Sequence, residues 1–291
     1  MRPPSSFAQI RTGLLSGLLS SVLGSLFLIS ASTSLAATCK ANSPATTTVL
    51  VDLYTSEGCN SCPPADKWLS ALKNSGLVPA QVVPLAFHVD YWDYIGWRDR
   101  FASPLFSRRQ SELVKLSGSN SVYTPQVLLA GRTFREWSNT YDFLQKVREQ
   151  SAQPAKAALS LQLASNEAGA WTGELSGTYP IGQSKPGNLQ AYLAIYESGL
   201  SSDVRAGENN GKRLKHDYVV RELIGPLAVT ALAAVASSTT PLKNGSGSGF
   251  QTSIKLPEVA GINRANAGVA AFLQDGASGE IYQAVSLGFC L

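Results

Sequence analysis

The sequence predicts an α/β domain followed by an all-β sandwich-like domain. In the first half, apolar runs typical of buried strands alternate with stretches of helical periodicity. A Cys-x-x-Cys pair follows the first of these strands and stands where a helix begins. In the second half, about seven short alternating runs are separated by turn residues, which is typical of an antiparallel sandwich.

Residues 1–37 have the features of a signal peptide. A basic start with Arg2 and Arg11 precedes an apolar stretch, Leu14 to Ser30, and the small residues Ser34 and Ala36 fit a cleavage site. The apolar stretch is short for a bilayer span. We therefore expect an exported protein, periplasmic or secreted, with no stable membrane span once this segment is removed.

Net charge excludes one class of protein, and a change in composition suggests a domain boundary. Loss of Arg2 and Arg11 lowers the formal net charge from +4 to +2, which is too small and too evenly spread for a nucleic-acid-binding protein. The apolar fraction of 44% is ample for a core. Composition changes near Gln153 and Pro154, so we expect one domain over 38–153 and a second over 154–291.

The Cys-x-x-Cys pair gives the clearest chemical signal. Val49 to Leu53 predicts a strand, a turn follows, and Cys59 and Cys62 precede a helical pattern. Unpaired N–H groups and partial positive charge at a helix start lower the pKa of a thiol there and favour the reactive thiolate. Cys62 is close enough to resolve a mixed disulfide on Cys59. Half of a zinc site and a purely structural disulfide are the alternatives.

A second apolar run, Gln81 to His88, leads into a segment rich in acidic and aromatic residues. If its strand is a parallel neighbour of the first, His88 and Asp90 lie beside the sulfurs, because ligands gather at the carboxyl ends of such strands. Glu57, in the turn before Cys59, is a further candidate beside the site. The alternative for His88 is a structural, hydrogen-bonded histidine.

The other two cysteines stand near the ends of the mature chain. All four cysteines can be bonded in an oxidising compartment. If Cys59 and Cys62 pair with each other, Cys39 and Cys290 remain for each other. Two separate buried thiols and an intermolecular bond are the alternatives, because sequence alone does not fix connectivity.

A charged run in the second half, Arg205 to Asp217, has two interpretations. One is a solvated hairpin, since charged residues are mostly exposed. The other is a loop that packs over the Cys-x-x-Cys and supplies His216 or Arg221 to it.

The order of elements in the first half, with Thr124-Pro125 before a later strand, resembles the thioredoxin fold. That resemblance implies that Cys59 is the nucleophile and Cys62 the resolving cysteine. It also implies that Pro125 is a cis-proline facing the sulfurs and that Thr124 offers backbone hydrogen bonds to a bound peptide. Asp52 takes the place of a buried acid that relays a proton to the resolving cysteine.

Three strings, TSEGCNSCPPAD, FHVDYWDYIGW and VYTPQ, together resemble a narrower family. These are the secreted, thioredoxin-like bacterial proteins catalogued as domain of unknown function 1223. The segment from Arg205 to Arg221, which contains His216, is similar to that family as well. The resemblance implies a thioredoxin-like fold and a redox-like site but no assigned substrate, so the sequence as a whole predicts an α/β thioredoxin-like domain followed by an all-β sandwich-like domain.

Three hypotheses follow for function. The first is an exported thiol–disulfide oxidoreductase that acts on protein or small-molecule thiols and disulfides without a cofactor. The second is a copper-binding or metallochaperone module with Cys59, Cys62 and His88 as ligands. The third is a binding module whose Cys59–Cys62 disulfide is only structural.

Overall fold

The computed structural model describes residues 37–180, 188–229 and 247–290, so the expected signal peptide lies outside the described residues except for Ala37. These residues contain fourteen strands and three α-helices. Up to residue 153 the elements are β1 (Thr38–Asn42), β2 (Val49–Thr55), α1 (Pro63–Ala71), β3 (Val82–His88), α2 (Pro104–Leu116), β4 (Gln126–Leu129), β5 (Arg132–Thr133) and α3 (Thr140–Ser151). The later strands are β6 (Ala158–Ser165), β7 (Trp171–Pro180), β8 (Leu189–Glu197), β9 (Leu200–Asp203), β10 (Arg213–His216), β11 (Val219–Ala228), β12 (Gly247–Lys255), β13 (Ala267–Asp275) and β14 (Ile281–Gly288).

An eight-stranded sheet, in the order β14-β13-β8-β11-β3-β2-β4-β5, organises these elements. β2 and β3 are parallel neighbours, with Thr55 opposite His88. β3 is joined to β11 by a parallel bridge between Ala86 and Val219, and β8, β13 and β14 continue the sheet in antiparallel pairs. Strands from both halves of the chain therefore form one sheet.

Both faces of this sheet are covered. Alternate residues of β2, such as Val51 and Leu53, pack against α1 and α3, because successive side chains of a strand point to opposite faces. Farther along the same face, β8, β13 and β14 pack against a second sheet of order β1-β6-β7-β12. Leu50 and Tyr54 point to the other face, where Phe106 and Leu113 of α2 cover them. Coverage on both faces explains why every residue of β2 is buried.

The expected α/β thioredoxin-like domain followed by an all-β sandwich-like domain is wrong. The described chain is mostly β-structure, with three short helices among several sheets. Strands β8, β11, β13 and β14 of the second half extend the sheet that β2 and β3 begin, instead of forming a sandwich of their own. The boundary expected between residues 153 and 154 falls in the connection from α3 to β6, and the described residues belong to one compact unit.

A disulfide and a short hairpin complete the fold. A disulfide joins Cys39 of β1 to Cys290, just after β14. The short strands β9 and β10 form a separate antiparallel hairpin, with Leu200 opposite His216. Among the described residues, no helix combines the length and the apolar character needed to cross a bilayer.

Candidate functional site

The Cys59–Cys62 disulfide lies between the end of β2 and the start of α1. Cys62 is the residue before the helix, and Pro63 and Pro64 fill its first two positions. Prolines have no N–H group, and the next two amides, of Ala65 and Asp66, donate to the carbonyl of Cys62. Free amides therefore do not stabilise a thiolate in this turn as the sequence suggested, and the helix dipole is the remaining source of positive potential.

The Thr124–Pro125 segment lies beside the disulfide. The Thr124–Pro125 peptide bond is cis, and the carbonyl oxygen of Thr124 is 3.8 Å from Sγ of Cys59. Trp92 fixes this segment, because its Nε1 donates to Oγ1 of Thr124 at 2.7 Å. The Oγ of Ser61 is 3.2 Å from Sγ of Cys59 on another side. The structure thus brings together Thr124, Pro125 and both cysteines.

The hairpin loop of residues 204–212, here called the covering loop, lies over the disulfide. The Asn209 side chain is fully buried and its Nδ2 donates to the carbonyls of Glu57 at 2.8 Å and Cys59 at 2.9 Å. Oε2 of Glu208 accepts from the amide of Asn60 at 3.0 Å. Both cysteines are 0% exposed, and the covering loop is bonded to the turn that carries Cys59.

Behind the disulfide, five ionisable side chains form a buried cluster. Nε2 of His216 lies 3.2 Å from Oε1 of Glu57, and its Nδ1 lies 3.7 Å from Oδ2 of Asp66. Nδ1 of His88 is 2.7 Å from Oδ2 of Asp99. The two imidazole rings are 4.9 Å apart and nearly perpendicular. His88 reaches this place because β3 is parallel to β2 and ends level with Thr55.

Burial and mutual charge set the protonation of this cluster. Burial raises the pKa of Asp66. Burial opposes ionisation of Asp99 too, but the charge and hydrogen bond of His88 hold the pKa of Asp99 below its usual range. Burial lowers the pKa of His88. The charge and hydrogen bond of Asp99, with the charges of Asp66 and Glu57, raise it by more, so the pKa of His88 lies above its usual value. Burial raises the pKa of Glu57, but hydrogen bonds to His216, Ser202 and Trp97 together lower it below its usual range. These directions favour a His88–Asp99 ion pair.

Other candidates from the sequence lie elsewhere. Asp52 points to the opposite face of β2, where Nη2 of Arg109 is 3.4 Å from its Oδ2. Asp90 bonds to the hydroxyl of Ser107 in α2. Arg221 forms an ion pair with Glu197 instead of reaching the cysteines. Successive side chains of a strand point to opposite faces of the sheet. Leu53 and Thr55 of β2 face α1, so Asp52 faces away from α1 and from the cysteines.

Sequence reasoning missed three residues of the site. Asp66 follows Cys62 by one helical turn, and that spacing on a helix was a usable signal. Asp99 and Asn209 lie in irregular segments. The sequence of such a segment has no periodic pattern to indicate that it folds back towards the cysteines. Among the described residues, no three His, Cys, Asp or Glu side chains are grouped as metal ligands.

Comparisons with known proteins give a family and a fold. Residues 50–274 match the model of the family described as "Protein of unknown function (DUF1223)". No curated protein matches the chain. The X-ray crystal structure of protein AGR_C_4864 from Agrobacterium tumefaciens is 24% identical, with a TM-score of 0.54 over 84% of this chain and 96% of that one. HBP35 of Porphyromonas gingivalis is 15% identical, with a TM-score of 0.59 over 85% of this chain and 76% of that one. At these identities the likeness concerns the fold alone.

Proposed function

This chain belongs to the DUF1223 family of proteins of unknown function, and from that premise we propose that it is an exported thiol–disulfide oxidoreductase acting through Cys59 and Cys62. The observation that supports this most is the disulfide at the start of α1 with the cis Thr124–Pro125 segment beside it. The Thr124 carbonyl, 3.8 Å from Sγ of Cys59, offers a main-chain acceptor to a polypeptide that approaches the sulfur.

The reaction balances between the protein and a substrate dithiol. A substrate thiolate attacks Sγ of Cys59, the Cys59–Cys62 bond breaks, and Cys62 leaves as a thiolate that takes up a proton. The second substrate thiol loses its proton and attacks the substrate sulfur of the mixed disulfide, so that Cys59 leaves. The substrate ends as a disulfide and the protein as a dithiol. With a substrate disulfide and the reduced protein, the same steps run in reverse.

Access is a requirement of this mechanism. Because both cysteines are fully buried, attack in line with the S–S bond needs the covering loop to move. Among the contacts of this loop, Asn209 and Glu208 hold the turn around Cys59 through three hydrogen bonds. Each such bond contributes about 1 kcal/mol net, and opening must break all three.

Export is the second part of the proposal. The basic and apolar segment in residues 1–37 and two disulfides in the described chain are what an oxidising compartment would favour. Fractionation of expressing bacteria tests it. We expect the protein outside the cytoplasm with its first residues removed, and a form that keeps residue 1 in the cytoplasmic fraction would contradict export.

A redox titration tests the function. We expect the Cys59–Cys62 pair to have a reduction potential of roughly −120 to −270 mV, whereas a structural disulfide lies below about −300 mV. Turnover of a disulfide-bonded peptide should disappear in Cys59→Ser and persist in a Cys39→Ser, Cys290→Ser double variant. A potential below that limit, or equal turnover by Cys59→Ser, would refute the proposal.

A further inference from the structure

A cavity of about 680 Å³ lies between α2 and the strands β8, β11 and β13. It is on the face of the eight-stranded sheet opposite α1, so it is separate from the Cys59–Cys62 site. Its lining mixes apolar residues, with Leu105, Leu113, Tyr192 and Leu223 among them, and charged and amide side chains. Ligand pockets usually have volumes of roughly 300–1,000 Å³, and the volume of this cavity lies in that range.

Arg109 supplies the main polar group of the cavity. The side chain lines the cavity and is 5% exposed. Its Nη1 donates to Oε1 of Gln274 at 2.9 Å, while its Nε has no hydrogen-bond partner. The guanidinium carbon is 5.0 Å from the ring centres of both Tyr192 and Phe272. A cation held on aromatic faces at the wall of a cavity attracts an anion that enters beside it.

The charges around the cavity favour a negative ligand. Arg108, Arg109 and Lys115 line it, against one acid, Glu112. The counter-charge that touches Arg109 is Asp52, and the distance of 3.4 Å between Nη2 and Oδ2 is long for a charged hydrogen bond. Oδ1 of Asp52 has no hydrogen-bond partner. Arg109 is therefore only partly compensated within the protein.

We propose that this cavity binds a small organic anion whose apolar body packs on the leucine-rich lining and whose acidic head accepts a hydrogen bond from Arg109. The proposal does not depend on the redox chemistry of Cys59 and Cys62. The apolar lining accounts for affinity and Arg109 for the preference for an anion over an uncharged molecule of the same shape.

The proposal carries a pH dependence because Asp52 competes with the ligand for Arg109. Burial raises the pKa of Asp52 to about 6, against the lowering effect of Arg109. The other ionisable groups around this pair are Tyr54 and Tyr192, whose pKa values burial raises, with Glu112 acting on Tyr192. As the pH falls through 6, Asp52 becomes neutral and an anion should bind more tightly.

Calorimetric titration of the wild-type protein with naphthalene-2-sulfonate tests this, with uncharged 2-naphthalenemethanol as the matched probe. The sulfonate stays charged throughout the pH range used. We expect it to bind roughly tenfold more tightly than the alcohol, as one charged hydrogen bond allows. We also expect it to bind at least about fivefold more tightly at pH 5 than at pH 8.

Two variants at the mouth of the cavity avoid the buried Arg109. Leu116→Trp should block binding of both probes, since Leu116 is 36% exposed and lines the cavity. Arg108→Glu should weaken the sulfonate alone, whereas Arg148→Glu, the same charge change on the exposed side of α3, should not. Equal affinity for sulfonate and alcohol in the wild type would overturn the proposal. Unchanged sulfonate binding in both Leu116→Trp and Arg108→Glu would do so as well.

Discussion

Nε2 of His216 lies 3.2 Å from Oε1 of Glu57, and their side chains are 1% and 0% exposed. His216 ends β10, the strand that follows the covering loop, and Glu57 is in the turn before Cys59. The base of the covering loop is therefore attached to the cysteine turn through a buried, ionisable contact. This buried contact adds to the hydrogen bonds that Asn209 and Glu208 make at the tip of the loop.

Asp99→Asn should destabilise the fold most strongly near neutral pH. Asp99 accepts hydrogen bonds from His88 and from the amides of Glu57 and Phe101. Loss of the charge leaves His88 buried without a counter-charge, and we expect the free energy of unfolding to fall by about 3 kcal/mol. Urea denaturation measures this, and Asp203→Asn, an exposed substitution, should change it by roughly 0.5 kcal/mol or less.

The pH dependence of that loss has a defined sign. The pKa of Asp99 is lowered in the folded protein, so its contribution is present above its unfolded pKa of about 3.9 and lost as the pH falls through the lower folded value. The pKa of His88 is raised, so its contribution is complete below its unfolded pKa of about 6.5 and lost as the pH rises through the higher folded value. The difference between wild type and Asp99→Asn should therefore shrink at both ends of the pH range, and a constant difference would contradict the ion pair.

Asn209→Ala should expose the disulfide. The substitution removes the two hydrogen bonds that hold the covering loop to the carbonyls of Glu57 and Cys59. Two such bonds stabilise the closed loop by roughly 1–3 kcal/mol, so we expect the Cys59–Cys62 disulfide to be reduced at least about fivefold faster. Reduction by dithiothreitol, followed by alkylation and mass spectrometry, gives the rate. Asn210→Ala, at the exposed neighbouring position, is the control, and equal rates in the two variants would show that the loop is no barrier.

Ser61→Ala should raise the pKa of the Cys59 thiol in the reduced protein. The Ser61 hydroxyl, 3.2 Å from Sγ, is placed to donate to a thiolate, and the prolines of α1 offer no amide that could replace it. Loss of one such bond corresponds to about half a pKa unit to one unit. The ultraviolet absorbance of the thiolate, followed against pH, reports it without needing reagent access. Ser70→Ala in the same helix should leave the titration unchanged, and an unshifted curve for Ser61→Ala would assign the hydroxyl another role.

The Cys39–Cys290 disulfide should matter more for stability than the Cys59–Cys62 disulfide. It links residues separated by 251 positions, whereas the other spans three. Because a cross-link restricts the unfolded chain more when it closes a longer loop, we expect Cys39→Ser with Cys290→Ser to cost about 2–5 kcal/mol. Urea denaturation of this variant beside Cys59→Ser with Cys62→Ser provides the comparison. Equal losses would mean that loop closure does not dominate.

Local features of the site could be predicted from the sequence. The apolar runs place β2 and β3 to within a residue or two of their ends, and the cysteines stand at the start of α1 as expected. His88 meets the turn before Cys59 because both follow parallel neighbours. Each of these depends on a short stretch of chain, where hydrophobic pattern and spacing carry the information.

Long-range pairing could not be predicted in the same way. The bridge between Ala86 and Val219 joins the two halves of the chain into one sheet, but a strand's own pattern shows which face is buried and not which strand lies beside it. Asp52 shows the same limit: its position in a buried strand was clear, whereas its partner, Arg109, comes from a helix on the other face. Asn209 approaches Cys59 from the charged run that the sequence singled out, but the run has no periodicity that marks this residue within it.

The bond between Cys39 and Cys290 closes nearly the whole described chain into a covalent ring. A pulling force applied through residues outside that ring travels across two sulfur atoms and leaves the sheets unloaded. In the same way, a protease that cuts one loop opens the ring without releasing a fragment, since both pieces stay tied through the sulfurs. Mechanical and proteolytic resistance of this protein should therefore depend on the redox state of a bond other than the one proposed to react.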